Sequence, residues 1–238
     1  MATPIDFCFP VKELSNDLVK LTPFEKKTAK HAGPFFRGSK DHPELFRYMS
    51  IGPFDSEKEF VSIFMDAFVH AQSSVACFAI IDKKKPPSEV DAEGELAGMV
   101  SYMAASEVHL SAEVGYIIIL PPYQRTHVTT HAIGLLLHYA LDSPEEGGLG
   151  LRRMQWLADP PNKASLNAAQ RMGFHLEGIL RWNKIVHDAD SRGKVHNERK
   201  RPPYGEQKDG GRDTAYLSLC WDDWLDGKRE IVDRLLAR

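Results

Sequence analysis

The chain has 238 residues, 42% hydrophobic and 26% charged, which fits one soluble domain of generous size. A net charge of −3 makes no electrostatic case for a nucleic-acid partner. The three distant cysteines, Cys8, Cys77 and Cys220, form no disulfide framework and fit a reducing compartment.

From the N-terminus, MATPIDFCFP lacks the basic start and apolar run of a secretory signal. No segment reaches the roughly 18 apolar residues of a membrane span. Both features predict a cytoplasmic protein with no membrane partner. LVKL reads as a short strand ended by Thr22 and Pro23. Residues 43–49 (PELFRYM) and 56–71 read as helices. In the second, Ser56 followed by Glu59 forms a capping-box pattern, and Phe60, Phe64, Ala67 and Phe68 keep helical spacing.

Three strand-like runs follow. SVACFAIID, LAGMVSYM and AEVGYIIIL are rich in β-branched and aromatic residues and are separated by polar loops, which predicts an antiparallel meander. The run from about Thr129 to Leu141 is helical and apolar on most sides, hence buried. LRRMQWLAD then reads as a strand. Strand, helix and strand in that order predict a right-handed crossover and a parallel pair. A helix over 163–172 stops at Gly173. FHLEGILRWNKIV and TAYLSLC are the last strands, and WLDGKREIVDRLLA a final helix. The expected fold is α+β, with a mixed sheet in one domain spanning 1–238. Its core covers about 11–226, with polar insertions at about 83–95 and 188–213. The second insertion is long enough to be functional or disordered, and its ERKR cluster reads as a solvated loop.

The stretch PPYQRTHVTTHA joins the third meander strand to the apolar helix. His127 and His131 could share a helical face, but valine stands where a metalloprotease needs glutamate, and no third ligand is evident; no metal is predicted. A phosphate is the other candidate ligand, because backbone N–H groups and the helix dipole bind anions at helix starts. Gln124 to Thr130 contains no proline, so every amide can donate. Thr126, Thr129 and Thr130 add hydroxyls, and Arg125 a charge. Taken alone, the stretch is a weak signal for phosphate, and a plain strand-to-helix turn is the better reading.

The segment AEVGYIIILPPYQRTHVTTHAIGLLLHYAL followed by LRRMQWLADPPNKASLNAAQRMGFHLEGILR resembles the GNAT acyltransferases, in particular the branch typified by ribosomal-protein N-terminal acetyltransferases. The matching elements are Glu113, Gly115 and Tyr116; Pro122, Tyr123 and Gln124; Asp159, Asn162 and Ser165; Gly173 and Phe174; and Glu177, Gly178 and Arg181. The RDTAYLSL ending also fits. The glycine-bearing loop departs from the pattern, with His127 and Thr129 in the two small positions. The resemblance implies a mostly antiparallel sheet with a central parallel pair and flanking helices. It implies acetyl transfer from acetyl-CoA, as co-substrate, to an amine of a small molecule or a protein N-terminus, by direct attack in a ternary complex.

It further implies roles for particular residues. Glu113 would be the general base, acting through water, where the bland alternative is an exposed or paired carboxylate. Amides of Ile117, Ile118 and Ile119 would meet the thioester carbonyl and pantetheine arm. Gln124, Arg125, Thr126, His127, Val128, Thr129 and Thr130 would hold the pyrophosphate. Asn162 would bind pantetheine or a water, and Ser165 would protonate the leaving thiolate; helix capping is the alternative for both. Tyr139 is a second candidate acid, with core packing the favoured alternative. Glu177 and Arg181 would pair structurally. Trp156 and Trp182 read as core or cleft wall. The acceptor would lie between the N-terminal helices and the 188–213 loop. A non-catalytic CoA-binding or protein-interaction module is the competing function, motivated by the missing glycines. The sequence sets no oligomeric state.

Overall fold

The computed structural model describes residues 6–24 and 30–238. Eight strands form one sheet in the order β1-β2-β3-β4-β5-β6-β8-β7. They are β1 (Leu14–Ser15), β2 (Val19–Pro23), β3 (Ala76–Asp82), β4 (Glu95–Ser106), β5 (Ser111–Ile119), β6 (Arg153–Ala158), β7 (His175–Val186) and β8 (Gly210–Cys220). Every neighbouring pair is antiparallel except β5 and β6. The meander and the parallel crossover pair read from the apolar runs are therefore both present.

The helices are α1 (Ala32–Ser39), α2 (Glu57–Glu59), α3 (Val128–Leu141), α4 (Lys163–Arg171), α5 (Trp221–Asp223) and α6 (Arg229–Leu236). α3 is the crossover. Its apolar residues point in most directions because it packs against β1, β2, β3, β5, β6 and α6. The core is a continuous cluster in which α3 (Val128, Leu136, Leu137) meets the sheet (Leu21, Ile80, Val100, Met154).

The N-terminal third differs most from expectation. α1 is read poorly from AGPFFRGS, because two glycines and a proline speak against a helix. Pro34 lies in the first turn, where proline is tolerated, and burial of Phe35 fixes the segment. The expected helix at 43–49 is a single 3-10 turn, Pro43–Phe46. Ser56 Oγ accepts from the Glu59 amide at 3.1 Å, as the capping pattern predicts, but the Glu59 carboxylate returns to the Asp55 amide at 2.6 Å. Beyond α2 the helix continues as a π-helix, Phe60–Val69. Phe60, Phe64 and Phe68 stack there at 5.7 and 5.8 Å. Their four-residue spacing exceeds the roughly 3.6 of an α-helix.

The 188–213 segment is tied down. The Lys194 ammonium donates to the carbonyls of Phe46, Met49 and Ile51 at 2.9, 3.0 and 2.6 Å, and the Val195 amide donates to Arg47 O. Within the ERKR cluster, Arg199 pairs with Asp213 and Arg201 with Asp190.

Candidate active site

Parallel pairing between β5 and β6 runs only from Ser111–Arg153 to Glu113–Gln155. Past Glu113 the strands part. The β4–β5 register slips between Met99 and Ser101, with Tyr116 at φ 45°, so β5 bulges where it leaves β6. The opening is a cavity of about 860 Å³, lined by Glu113 and Gly115 to Ile119 on one side and by Trp156 to Asp159, Asn162 and Ser165 on the other.

Glu113 stands at the apex of the split. Burial pushes its carboxyl up to about 7, and the Lys184 and Arg212 charges offset only part of the rise. The Glu-x-Gly spacing has a steric reason. A Cβ on Gly115 would press on Met103 Sδ and lie 3.2 Å from Glu113 Oε1, so glycine leaves room for the carboxylate.

The turn into α3 is held by its own side chains. Tyr123 Oη donates to Glu95 at 2.6 Å, and Gln124 Nε2 donates to Ile119 O at 3.0 Å. Thr126 Oγ1 donates to Tyr123 O at 2.6 Å. The left-handed residue is Arg125, at φ 60°, whereas His127 has helical φ and ψ and Thr129 lies inside α3. The two positions that lack glycine thus demand no special backbone conformation. The amides of Thr129 and Thr130 lie in the first turn of α3, where the helix supplies no acceptor. Gln124, Arg125, Thr126, Thr129 and Thr130 line the cavity. His127 and Val128 bring no side chain to it. The His127 ring lies 3.0 Å from Asp82 and 5.7 Å from the His131 ring, and Val128 is fully buried. The Val128 amide already donates to Thr126 Oγ1 at 3.3 Å.

Asn162 is the N-cap of α4, its Oδ1 accepting from the Ser165 amide at 3.2 Å. The capping alternative therefore holds for Asn162, while its side chain also lines the cavity. Ser165 Oγ accepts from Trp156 Nε1 at 2.9 Å, which leaves its own hydrogen free to donate. Trp156 is both core and cleft wall: it is buried, crosses Phe174 edge-on at 5.5 Å, and borders the cavity. The second candidate acid, Tyr139, is excluded by placement, because its hydroxyl donates to Pro10 O at 2.7 Å and lies outside the cavity lining. Glu177 pairs with Arg153 and Ser218 rather than Arg181, and these bonds hold its carboxyl down to about 2. The sheet order explains this: β8 lies between β6 and β7, Ser218 on β8 is near Glu177 on β7, and the Arg153 side chain reaches across β8 from β6.

Three charged residues joined the site only in three dimensions. Asp159, Lys184 and Arg212 line the cavity with Glu113. Asp159 is visible in the sequence as a motif residue without a role. Lys184 and Arg212 are cross-strand partners separated by the 188–213 loop, and nothing local marks that pairing.

A family model described as "Acetyltransferase (GNAT) domain" matches residues 20–175. The chain belongs to the GNAT acetyltransferases. As a GNAT acetyltransferase it is an acyltransferase with acetyl-CoA as co-substrate. It is 26% identical over 162 residues to the spermidine N(1)-acetyltransferase of Escherichia coli (strain K12), covering 68% of this chain and 75% of that protein. The solved structure of a GCN5-related N-acetyltransferase from Brucella melitensis superposes with a TM-score of 0.70 at 27% identity, over 94% of this chain and 85% of that one. A probable GNAT acetyltransferase from Chromobacterium violaceum ATCC 12472 gives 0.68 at 25% identity, over 94% and 90%. Among the described residues no helix is long and apolar enough to cross a membrane.

Proposed function

We propose that this GNAT enzyme transfers the acetyl group of acetyl-CoA to a primary amine by direct attack in a ternary complex. The observation that carries the reading is Glu113. It is a carboxylate at the apex of the strand split, facing the cavity, with burial lifting it to about 7. A primary ammonium has a pKa near 10 and attacks only after losing a proton. A base near 7 is about half ionised at neutral pH and basic enough to take that proton through a water.

The cofactor lies along the open edge of β5. Successive strand amides face opposite edges, so those of Ile117 and Ile119, flanking the β4-facing amide of Ile118, meet the pantetheine arm and the thioester carbonyl, where a donor stabilises the developing oxyanion. The pyrophosphate sits at the start of α3 on the Thr129 and Thr130 amides, with Gln124, Arg125 and Thr126 beside it. Glu113 takes the ammonium's proton through water and passes it to solvent, and the neutral amine nitrogen then bonds to the carbonyl carbon. As the C–S bond breaks, Ser165 Oγ donates its hydrogen to the thiolate and is reprotonated, through water, by the second proton that the nitrogen sheds. Asn162, whose carbonyl caps α4, turns its amide toward the pantetheine arm or a water.

Two acceptor types have support. The motif order resembles that of ribosomal-protein N-terminal acetyltransferases, and the E. coli relative is a spermidine acetyltransferase. The protein works as a single domain in the cytoplasm, without nucleic acid or membrane.

The test is thiol release from acetyl-CoA with a panel of primary amines. Amine-dependent release with intersecting initial-velocity lines is expected. Parallel lines, which report an acyl-enzyme, or release indifferent to amine would contradict the proposal.

A further inference from the structure

Four of the charged side chains that line the cavity are buried or half-buried, and among the described residues no ion pair at contact distance joins them. Arg212 is 8% exposed and Asp159 3% exposed, yet Arg212 Nε and Asp159 Oδ2 have no hydrogen-bond partner among the described residues. Glu113 and Lys184 complete the set, and all four line the same cavity. Lys184 on β7 stands directly opposite Arg212 on β8. Like charges placed opposite each other destabilise a sheet, and burial adds a desolvation cost to each. Burial and the neighbouring Arg212 together hold the Lys184 ammonium below its ordinary range. A fold keeps such a pair without ion-pair partners where something else supplies the missing anion. The exposed Arg47, Arg125 and Arg171 add further cations to the lining, against one further carboxylate, Glu44.

From this arrangement we infer that the acceptor is a small primary amine that also carries an anionic group, a carboxylate or a phosphate. The amine addresses Glu113 and Asp159, and the anion bridges Lys184 and Arg212. This rests on the amine-acceptor reading above and narrows it. The two carboxylates and two cations that are withdrawn from solvent in this cavity complement a zwitterion. A polyamine satisfies the carboxylates with one ammonium but sets another against Lys184 and Arg212. A neutral amine leaves both cations desolvated and unpaired. Arg212 suits either anion, because its guanidinium offers a fork of donors to a planar carboxylate or a phosphate.

The experiment compares acceptors matched in length: 3-aminopropanoate, 2-aminoethyl phosphate, propylamine and 1,3-diaminopropane. Thiol release gives kcat/KM for each. A charge-assisted contact predicts at least about tenfold preference for an anionic amine over propylamine, with 1,3-diaminopropane lowest. The two anionic arms identify which anion is used. Arg212→Gln, and separately Lys184→Met, should shrink the anionic-to-neutral ratio by about tenfold. Lys184 is only half-buried, so its variant guards against a folding failure of the first. A wild-type preference for 1,3-diaminopropane, or a ratio unchanged in both variants while acetyl-CoA still binds, overturns the inference. Binding of the same amines to the CoA-loaded protein, followed by calorimetry, separates it from the catalytic proposal. Selective uptake of an anionic amine without thiol release would sustain the inference while sinking the proposed reaction. Tighter binding of the diamine sinks the inference whatever the turnover.

Discussion

Trp156 Nε1 donates to Ser165 Oγ at 2.9 Å, so a buried indole on β6 fixes the hydroxyl of a helix-start serine at the cavity wall. The bond occupies one lone pair of Ser165 Oγ and leaves its hydrogen to be given away. Trp156→Phe keeps an aromatic ring against Phe174 and removes the donor, together with some buried volume. It should lower kcat about tenfold, the worth of one orienting hydrogen bond. Acetyl-CoA affinity should stay within about twofold, because the pyrophosphate sites are untouched. Steady-state kinetics beside calorimetry checks this. An unchanged kcat would remove Ser165 from the proton path.

Thr129 faces the cavity from the first turn of α3, where close approach of a phosphate needs a small side chain. Thr129→Arg should abolish measurable acetyl-CoA binding in a protein that still unfolds cooperatively. Retained binding would place the pyrophosphate elsewhere.

Lys194 ties the 188–213 segment to the cavity wall at 43–51 through three carbonyls. Lys194→Met strands those acceptors, which predicts a loss of about 2–4 kcal/mol in chemical denaturation. The acceptor KM should rise while acetyl-CoA affinity holds, because only the acceptor wall loosens. Loss of cofactor binding without a change in acceptor KM would contradict this placement.

Glu113 also costs stability. Its pKa rises from 4.5 to about 7 on folding, so the fold prefers the protonated form. Stability is complete below the unfolded pKa and is lost as pH climbs through about 7. Glu113→Gln has no such loss. The variant should gain over the wild type between those two values, by up to about 3 kcal/mol, then hold level above. Thermal unfolding across pH reads the difference, and a gap independent of pH would refute the burial argument.

Much of the architecture is legible in the sequence because it rests on local signals. Apolar strand runs, glycine stops and the Ser56 cap announce their elements, and the Glu113-x-Gly115 spacing marks the site. What escapes is what folding creates. α1 forms against its own propensity because Phe35 is buried. Trp156 meets Ser165 only when α4 packs beside β6. Lys184 meets Arg212 only through strand register across a long loop. Glu177 finds Arg153 instead of Arg181 for the same reason. The glycine-free turn is the converse case: its left-handed residue is Arg125, so the missing glycines concern space for a phosphate and not backbone shape.

The most direct test of the account is the pH dependence of kcat/KM for acetyl transfer, in the wild type and in Glu113→Gln. The wild type should show an acid limb with a midpoint near 7, set by the buried carboxylate. The variant should lose that limb and fall by roughly 10²–10⁴-fold, the usual worth of a general base. A variant that keeps the limb and stays within a fewfold of wild type would show that Glu113 does not take the amine proton.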